Sequence, residues 1–256
     1  MDKPLILVTN DDGIQAPGLK ALTHVMRNFG DLVVVAPDKP QSGMAHAITV
    51  NLPLRYFKID EQPGYQAFSV NGTPVDCVKL AEKFLLPRKP DLLVSGINHG
   101  SNASINILYS GTMAAVLEVC MVNVPSIGFS LCDYSWNAQF EPSFPWIEKI
   151  VREVLKNGLP PNTCLNVNIP SSTGSPSRGI KVGRQGDGRW KEEFDHRVDP
   201  RKVEYFWITG TFHGYDNSEG TDNHALENQY VSVVPVHFDL TAHHVLENLQ
   251  YLSENA

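Results

Sequence analysis

Leu5-Ile6-Leu7-Val8-Thr9 runs directly into Asn10-Asp11-Asp12-Gly13, and a helical pattern opens a few residues later. The first five residues are apolar or β-branched with no alternation, which is how a strand buried on both faces reads, and the Asx-Gly cluster ends it in a turn. Pro17 suits a first helical turn, Leu19, Leu22, Val25, Met26 and Phe29 recur on one helical face, and Gly30 stops the pattern. Leu32 to Ala36 is a second continuous apolar strand. A β-α-β order with strands of this kind requires a mostly parallel sheet covered on both faces by helices, an α/β fold.

Further along, Leu52–Ile59 and Tyr65–Val70 flank Gln62-Pro63-Gly64 and read as a hairpin inserted into the alternating plan. Pro74–Leu86, Gly111–Met121, Phe144–Leu155 and Ala242–Leu252 carry helical signals. Asp91–Ser95, Pro125–Ser130, Cys164–Ile169 and Tyr230–Val236 read as strands. Residues 171–223 are rich in Gly, Ser, Arg and Asp and predict long loops or irregular hairpins near a site or a subunit contact. No linker divides the chain, so residues 1–256 are read as one unit whose first 130 residues form its core.

The chain has 256 residues, 42% apolar and 19% charged, with a formal charge of -7, a soluble globular composition. That charge disfavours a broad face for a nucleic-acid polymer and leaves room for a small anion gripped locally. The N-terminus shows neither a signal pattern nor a run of about 20 apolar residues, so a cytoplasmic protein without membrane contact is expected. Cys77, Cys120, Cys132 and Cys164 are widely spaced and read as small buried hydrophobes.

Polar clusters follow three of the strands: Asn10 to Gly13, Asp38 to Gly43, and Gly96 to Asn102. In open parallel sheets such strand ends are where ligands collect. Adjacent buried carboxylates repel each other, and a divalent cation offsets that repulsion and the loss of water. The available donors are hard oxygens, suited to Mg²⁺, Mn²⁺ or Ca²⁺. The plainer reading is that Asp11 and Asp12 only cap a turn and the next helix. Ser110-Gly111-Thr112 opens a helix and fits either a phosphate cradle or a simple serine N-cap. A metal beside an anion cradle suggests phosphoryl hydrolysis. Neither a G-x-S-x-G elbow, nor a G-x-x-x-x-G-K-[ST] loop, nor a G-x-G-x-x-G turn after the first strand is present.

Several segments in order give the chain a resemblance to the SurE family of stationary-phase survival nucleotidases. They are Ile6 to Gly13, Ala36-Pro37 with Gln41-Ser42-Gly43, Asn71-Gly72-Thr73-Pro74, Ser95 to Asn98 continuing through Gly100 and Asn102, and Tyr109 to Thr112. Glu118, Pro125-Ser126-Ile127, Asn166 to Pro170, Thr221-Asp222 and Asp239-Leu240-Thr241 also fit, while Val119 stands where the family commonly has glycine. The resemblance implies a Rossmann-like core and phosphomonoesterase activity on nucleoside 5′- and 3′-monophosphates, with some action on short polyphosphate. It also implies homodimers or homotetramers built through C-terminal segments within 171–256. Carried over by position, one divalent ion per subunit, Mg²⁺ or Mn²⁺, would rest on Asp11, Asp12, Ser42 and Asn98. Asn10, Asn102, Ser110, Gly111 and Thr112 would surround the phosphate, and Asp11 or Asp12 would help orient or deprotonate water.

His99 and His46 lie near these clusters and are read as loop or contact residues in preference to acid catalysts. Trp190, Tyr205, Phe206, Trp207 and Phe212 are read as packing or interface residues in preference to a base-stacking platform. A receiver domain would need a phosphorylatable aspartate where this chain has Ser95 and Asn98. A haloacid-dehalogenase-like phosphatase would need D-x-D, whereas the aspartates here are adjacent. A non-catalytic nucleotide-binding or oligomeric module on the same fold is the remaining alternative.

Overall fold

The computed structural model describes residues 3–135, 137–171 and 176–253. Its strands are Leu5–Thr9 (β1), Asp31–Pro37 (β2), Tyr56–Gln62 (β3), Tyr65–Val70 (β4), Leu92–His99 (β5), Ser126–Cys132 (β6), Cys164–Pro170 (β7), Ile180–Val182 (β8), Gly188–Val198 (β9), Glu204–Gly214 (β10) and Val231–Val236 (β11). The helices are Pro17–Met26 (α1), Pro74–Leu80 (α2), Gly111–Cys120 (α3), Phe144–Asn157 (α4) and Asp222–Glu227 (α5). The main sheet runs β3-β4-β2-β1-β5-β6-β7-β11-β8. Neighbours from β4 to β7 are parallel, and β3 and β11 pair antiparallel with β4 and β7.

Strand periodicity divides the core between the two faces. Ile6 and Val8 of β1, with Leu32, Val34 and Ala36 of β2, pack beneath Leu19, Leu22 and Met26 of α1 and Ile147, Val151 and Val154 of α4. Leu5, Leu7, Val33 and Val35 face the other way, onto Cys77 and Val78 of α2 and Met113, Val116 and Val119 of α3. Val119 is fully buried there, so the residue that departs from the family pattern serves the core. Cys77, Cys120 and Cys164 are buried and Cys132 partly so, all as free thiols.

The hairpin expected after β2 is present, and its second strand is a full member of the parallel sheet, registered from Leu32 opposite Tyr65 to Pro37 opposite Val70. The run Ala67-Phe68-Ser69-Val70, apolar but for Ser69, is buried, as a strand inside the sheet with both faces covered requires. Residues 188–214 form a two-stranded antiparallel ribbon separate from the main sheet. The helix expected over 242–252 is absent: His243–Val245 and Glu247–Leu252 are short 3-10 turns with no buried residue. Without a packed face to stabilise them, such short segments do not hold an α-helix. No helix among the described residues is long and apolar enough to cross a membrane.

From β1 the chain adds β2 and β4 on one side, then returns to add β5, β6 and β7 on the other. The carboxyl ends of β1 and β5 therefore border the point where the winding reverses, the place where a crevice opens in such sheets.

Candidate functional site

Register brings the first and third polar clusters to that crevice. Thr9 pairs with Ser95, so Asn10 to Asp12 leave β1 beside the Gly96-Ile97-Asn98 stretch of β5. That stretch is bulged: two residues, Gly96 and Ile97, oppose the single Phe129 of β6 before pairing resumes at Asn98. Gly96 is at φ +129°, and a Cβ there would lie 2.3 Å from the Phe129 carbonyl oxygen, so only glycine fits the bulge. Bulges of this kind re-aim the following side chain. Here that side chain is Asn98, whose amide nitrogen donates to the carbonyls of His99 (3.2 Å) and Gly100 (2.9 Å), leaving Oδ1 as its remaining polar atom.

The second cluster is clipped to the first through the backbone. The Ile14 N–H donates to the Pro37 carbonyl at 2.8 Å, and the Gln41 N–H donates to the Asp11 carbonyl at 2.7 Å. Ser42 follows immediately and is exposed. From the opposite side, α3 points its N-terminus at Asp11. A Cβ on Gly111 would lie 2.7 Å from the Asp11 Cβ, so glycine permits that approach. The Thr112 hydroxyl donates to Asp11 Oδ1 at 2.6 Å. Ser110 fills the capping role, its Oγ accepting from the Met113 N–H at 3.1 Å.

The electrostatics of the pair are unusual. Asp11 is 4% exposed, and burial first, then the charge of Asp12, pushes its carboxyl up to about 6, against the opposing pull of the Thr112 hydrogen bond. Burial also raises the Asp12 carboxyl, with His99 pulling the other way. Asp12 Oδ2 and Asn10 Oδ1 are buried with no hydrogen-bond partner among the described residues. No lysine or arginine is among the groups acting on either carboxyl. Among the described residues the crevice thus holds a surplus of oxygen acceptors, faced by the His99 imidazole and by no lysine or arginine, the environment a hard divalent cation suits. Among the described residues no three His, Cys, Asp or Glu side chains gather to hold a metal. A set of two carboxylates, one amide oxygen and one hydroxyl calls for only two of those side chains.

Asn102 lies deeper than its sequence position suggests. Its backbone N–H donates to Asn168 Oδ1 (2.8 Å), its side-chain amide donates to Ser130 Oγ (2.9 Å), and its carbonyl accepts from Asn166 Nδ2 (2.9 Å). Asn168 Nδ2 in turn donates to Asn166 Oδ1 at 2.9 Å. This buried amide ladder on β7 fixes the loop after β5, and the sequence reading missed its purpose. The signal was there: Asn166 and Asn168 are polar residues two apart in an otherwise apolar strand, and buried amides of that kind need partners.

His99 packs edge-on against Phe140, ring centroids 5.0 Å apart. His46 bonds Glu118. Trp190 donates to Asn106 at 2.7 Å and lies edge-on to Phe212, whereas Phe206 and Trp207 are exposed on the ribbon.

Residues 6–192, which include these strand ends and their clusters, match the family model described as Survival protein SurE. The chain belongs to the SurE family. A protein from Christiangramia forsetii named 5′-nucleotidase SurE is 56% identical over 255 residues, covering 99% of this chain and 98% of its own. A protein of the same name from Flavobacterium psychrophilum is 55% identical over 250 residues, 97% of each chain. The crystal structure of the Sure protein from Aquifex aeolicus, 41% identical, superposes with a TM-score of 0.84 over 98% of this chain and 100% of that one.

Proposed function

We propose that this SurE-family chain is a divalent-metal-dependent phosphomonoesterase that hydrolyses nucleoside 5′-monophosphates. Nucleoside 3′-monophosphates and short polyphosphate are proposed as further substrates. The observation that carries the reading is the Asp11–Asp12 pair at the winding reversal, Asp11 buried and Asp12 half-buried, with an oxygen unpartnered among the described residues and no lysine or arginine acting on either carboxyl. The name 5′-nucleotidase carried by relatives over nearly the full chain supports the substrate class.

In this reading Asp11, Asp12, Ser42 and Asn98 hold one Mg²⁺ or Mn²⁺ per subunit. When bound, the cation supplies positive charge for the phosphoryl oxygens and a more acidic attacking water. Thr112 fixes the Asp11 carboxylate through its hydroxyl, so that oxygen is preset in direction before substrate arrives. Asp12 Oδ2, which has no hydrogen-bond partner among the described residues, is the acceptor able to orient the water and take its proton. The ten-residue helix α3 brings its positive end to the crevice, and Ser110 and Gly111 there, with Asn10 and Asn102 alongside, take the phosphate. Adjacent rather than spaced aspartates favour direct attack by water over a phosphoryl-enzyme. The exposed apolar residues of the ribbon and of the C-terminal arm, among them Trp207, Ile208, Leu240 and Leu252, support assembly into homodimers or homotetramers.

Phosphate release from a panel of nucleoside 5′- and 3′-monophosphates, with Mg²⁺, with Mn²⁺ and after chelation, tests the reading. Metal-restored release that chelation removes is expected. Release indifferent to chelation rejects the metal set, and no release at all moves the chain to a non-catalytic binding module.

A further inference from the structure

Glu118 sits on α3 six residues beyond Thr112, about 9 Å along the helix axis, and takes no part in the crevice. Its side chain is only 12% exposed, and both carboxylate oxygens are engaged. Oε2 meets His46 Nε2 at 3.0 Å, and Oε1 accepts from Lys79 of α2. The His46 hydrogen bond, followed by Lys79, holds the Glu118 carboxyl below its ordinary value. Glu82 is the other carboxylate near this group.

His46 belongs to residues 38–55, the segment without helix or strand that carries Ser42. It is anchored near its start by the Gln41 N–H on the Asp11 carbonyl. Farther on it is held by α2: the Thr49 N–H and hydroxyl donate to Asp76 at 3.0 and 2.6 Å, and the Thr73 hydroxyl donates to the Ala47 carbonyl at 2.7 Å. Between these points Ser42, Gly43 and Met44 are exposed, and Ala45 is held at φ +49°, a backbone region that a residue with a Cβ adopts at a cost. His46 makes the side-chain hydrogen bond that joins this stretch to α3.

We propose that Glu118 is a positioning residue for the site: through His46 it latches the Ser42 segment to the helix whose N-terminus holds Asp11. The proposal rests on the reading of Ser42 as a metal ligand. A segment released from the latch spends less time in the binding geometry, so the apparent affinity for the cation falls by the lost fraction while the chemical step is unchanged once the cation is bound.

The test is direct Mn²⁺ titration of the full-length protein by electron paramagnetic resonance without substrate, together with hydrogen exchange and steady-state kinetics. Glu118→Ala and His46→Ala are each expected to weaken Mn²⁺ binding about tenfold, the double variant no further, with kcat at saturating Mn²⁺ within about twofold. His46→Gln, which keeps a hydrogen bond to Glu118, is expected to recover at least half of the lost affinity on a logarithmic scale. Amides of residues 42–47 should exchange faster in Glu118→Ala while those of α3 do not. Unchanged Mn²⁺ affinity in Glu118→Ala, or a loss confined to kcat at saturating metal, overturns the latch. Ser42→Ala separates the two layers. Wild-type Mn²⁺ affinity there removes Ser42 from the ligand set and the proposal with it. Weakened affinity there with none in Glu118→Ala overturns the latch alone.

Discussion

Asp222 and Asp11 are buried aspartates, Asp11 with the half-buried Asp12 beside it, and the fold treats the two places in opposite ways. Asp222 is fully buried and accepts from the backbone N–H groups of Ser104 (2.7 Å), Gly186 (2.8 Å) and Asn223 (2.8 Å). It ties together segments more than 100 residues apart in sequence. Asp11 takes a side-chain hydrogen bond from Thr112, and Asp12 leaves an oxygen without a hydrogen-bond partner among the described residues. Backbone donors suffice to satisfy a buried carboxylate in this fold, so acceptors left unmatched at the mouth of the sheet indicate a place kept for a ligand. The difference between the two regions separates a carboxylate that builds the structure from carboxylates the structure pays to expose to chemistry.

The largest effect is expected at the unsatisfied end. Asp12→Ala should cut metal-dependent phosphate release by at least about a thousandfold, near 4 kcal/mol of barrier, with the far-ultraviolet circular dichroism unchanged. Normal turnover in that variant would refute the ligand assignment. Asp222→Ala should act on the fold instead, since two buried N–H donors and one part-buried one lose their acceptor; a loss of about 3 kcal/mol or more, a Tm lower by roughly 6–12 °C, is expected by calorimetry. A Tm within about 2 °C of wild type would dissolve the distinction between the two regions.

A pH series sharpens the same contrast. Because Asp11 is raised from 3.8 to about 6 in the folded chain, the metal-free native state holds a proton that the unfolded chain has released between those values. Its stabilising contribution is complete below pH 3.8 and is lost as pH rises through 6, on the order of 3 kcal/mol. Denaturant melts of wild type against Asp11→Asn across that window isolate the slope, and saturating Mn²⁺ should flatten it by binding only the deprotonated native form. Identical slopes in the two proteins would contradict the burial argument. The smallest change is Thr112→Val, which removes one hydrogen bond to the Asp11 carboxylate. A loss of about 1 kcal/mol, roughly fivefold in kcat/KM, is expected. Since that bond opposes the rise in Asp11, the defect should be greater at pH 6 than at pH 8; a uniform loss would mean that Thr112 acts on packing alone.

How much of this could be read beforehand follows from which residues are buried. The runs Leu5–Thr9 and Leu32–Ala36 are apolar throughout because both faces are covered, so strand identity, sheet type and the position of Asp11 and Asp12 at a strand end were legible. Tyr65–Val70 was seen as a strand, but its place beside β2 depends on pairing across the sheet, which no local pattern encodes. The ribbon was opaque because Phe194, Trp207 and Ile208 are all exposed, leaving no inside-outside alternation to detect. Asp222 stands out in the sequence only as part of the Thr221-Asp222 segment that fits the family pattern. Its meaning lies in donors at Ser104 and Gly186, which only the folded chain brings near. The role of Ser110 stood open between cap and cradle, and the structure shows the cap, a role compatible with the other.

The ribbon leaves the body of the molecule through a narrow neck, where Gly188 stands opposite Gly214 and the Asp187 carbonyl accepts from the N–H groups of Tyr215 and Asp216 at 2.8 and 3.0 Å. Pairing beyond the neck runs without interruption to Val198 opposite Glu204. Removing two residues from each arm would therefore shorten the ribbon by about 6.8 Å while keeping register and facing intact. Reach and scaffold are thus separately adjustable quantities: descendants of this chain can lengthen or trim the ribbon, or replace its tip, without renegotiating the sheet that positions the carboxylates.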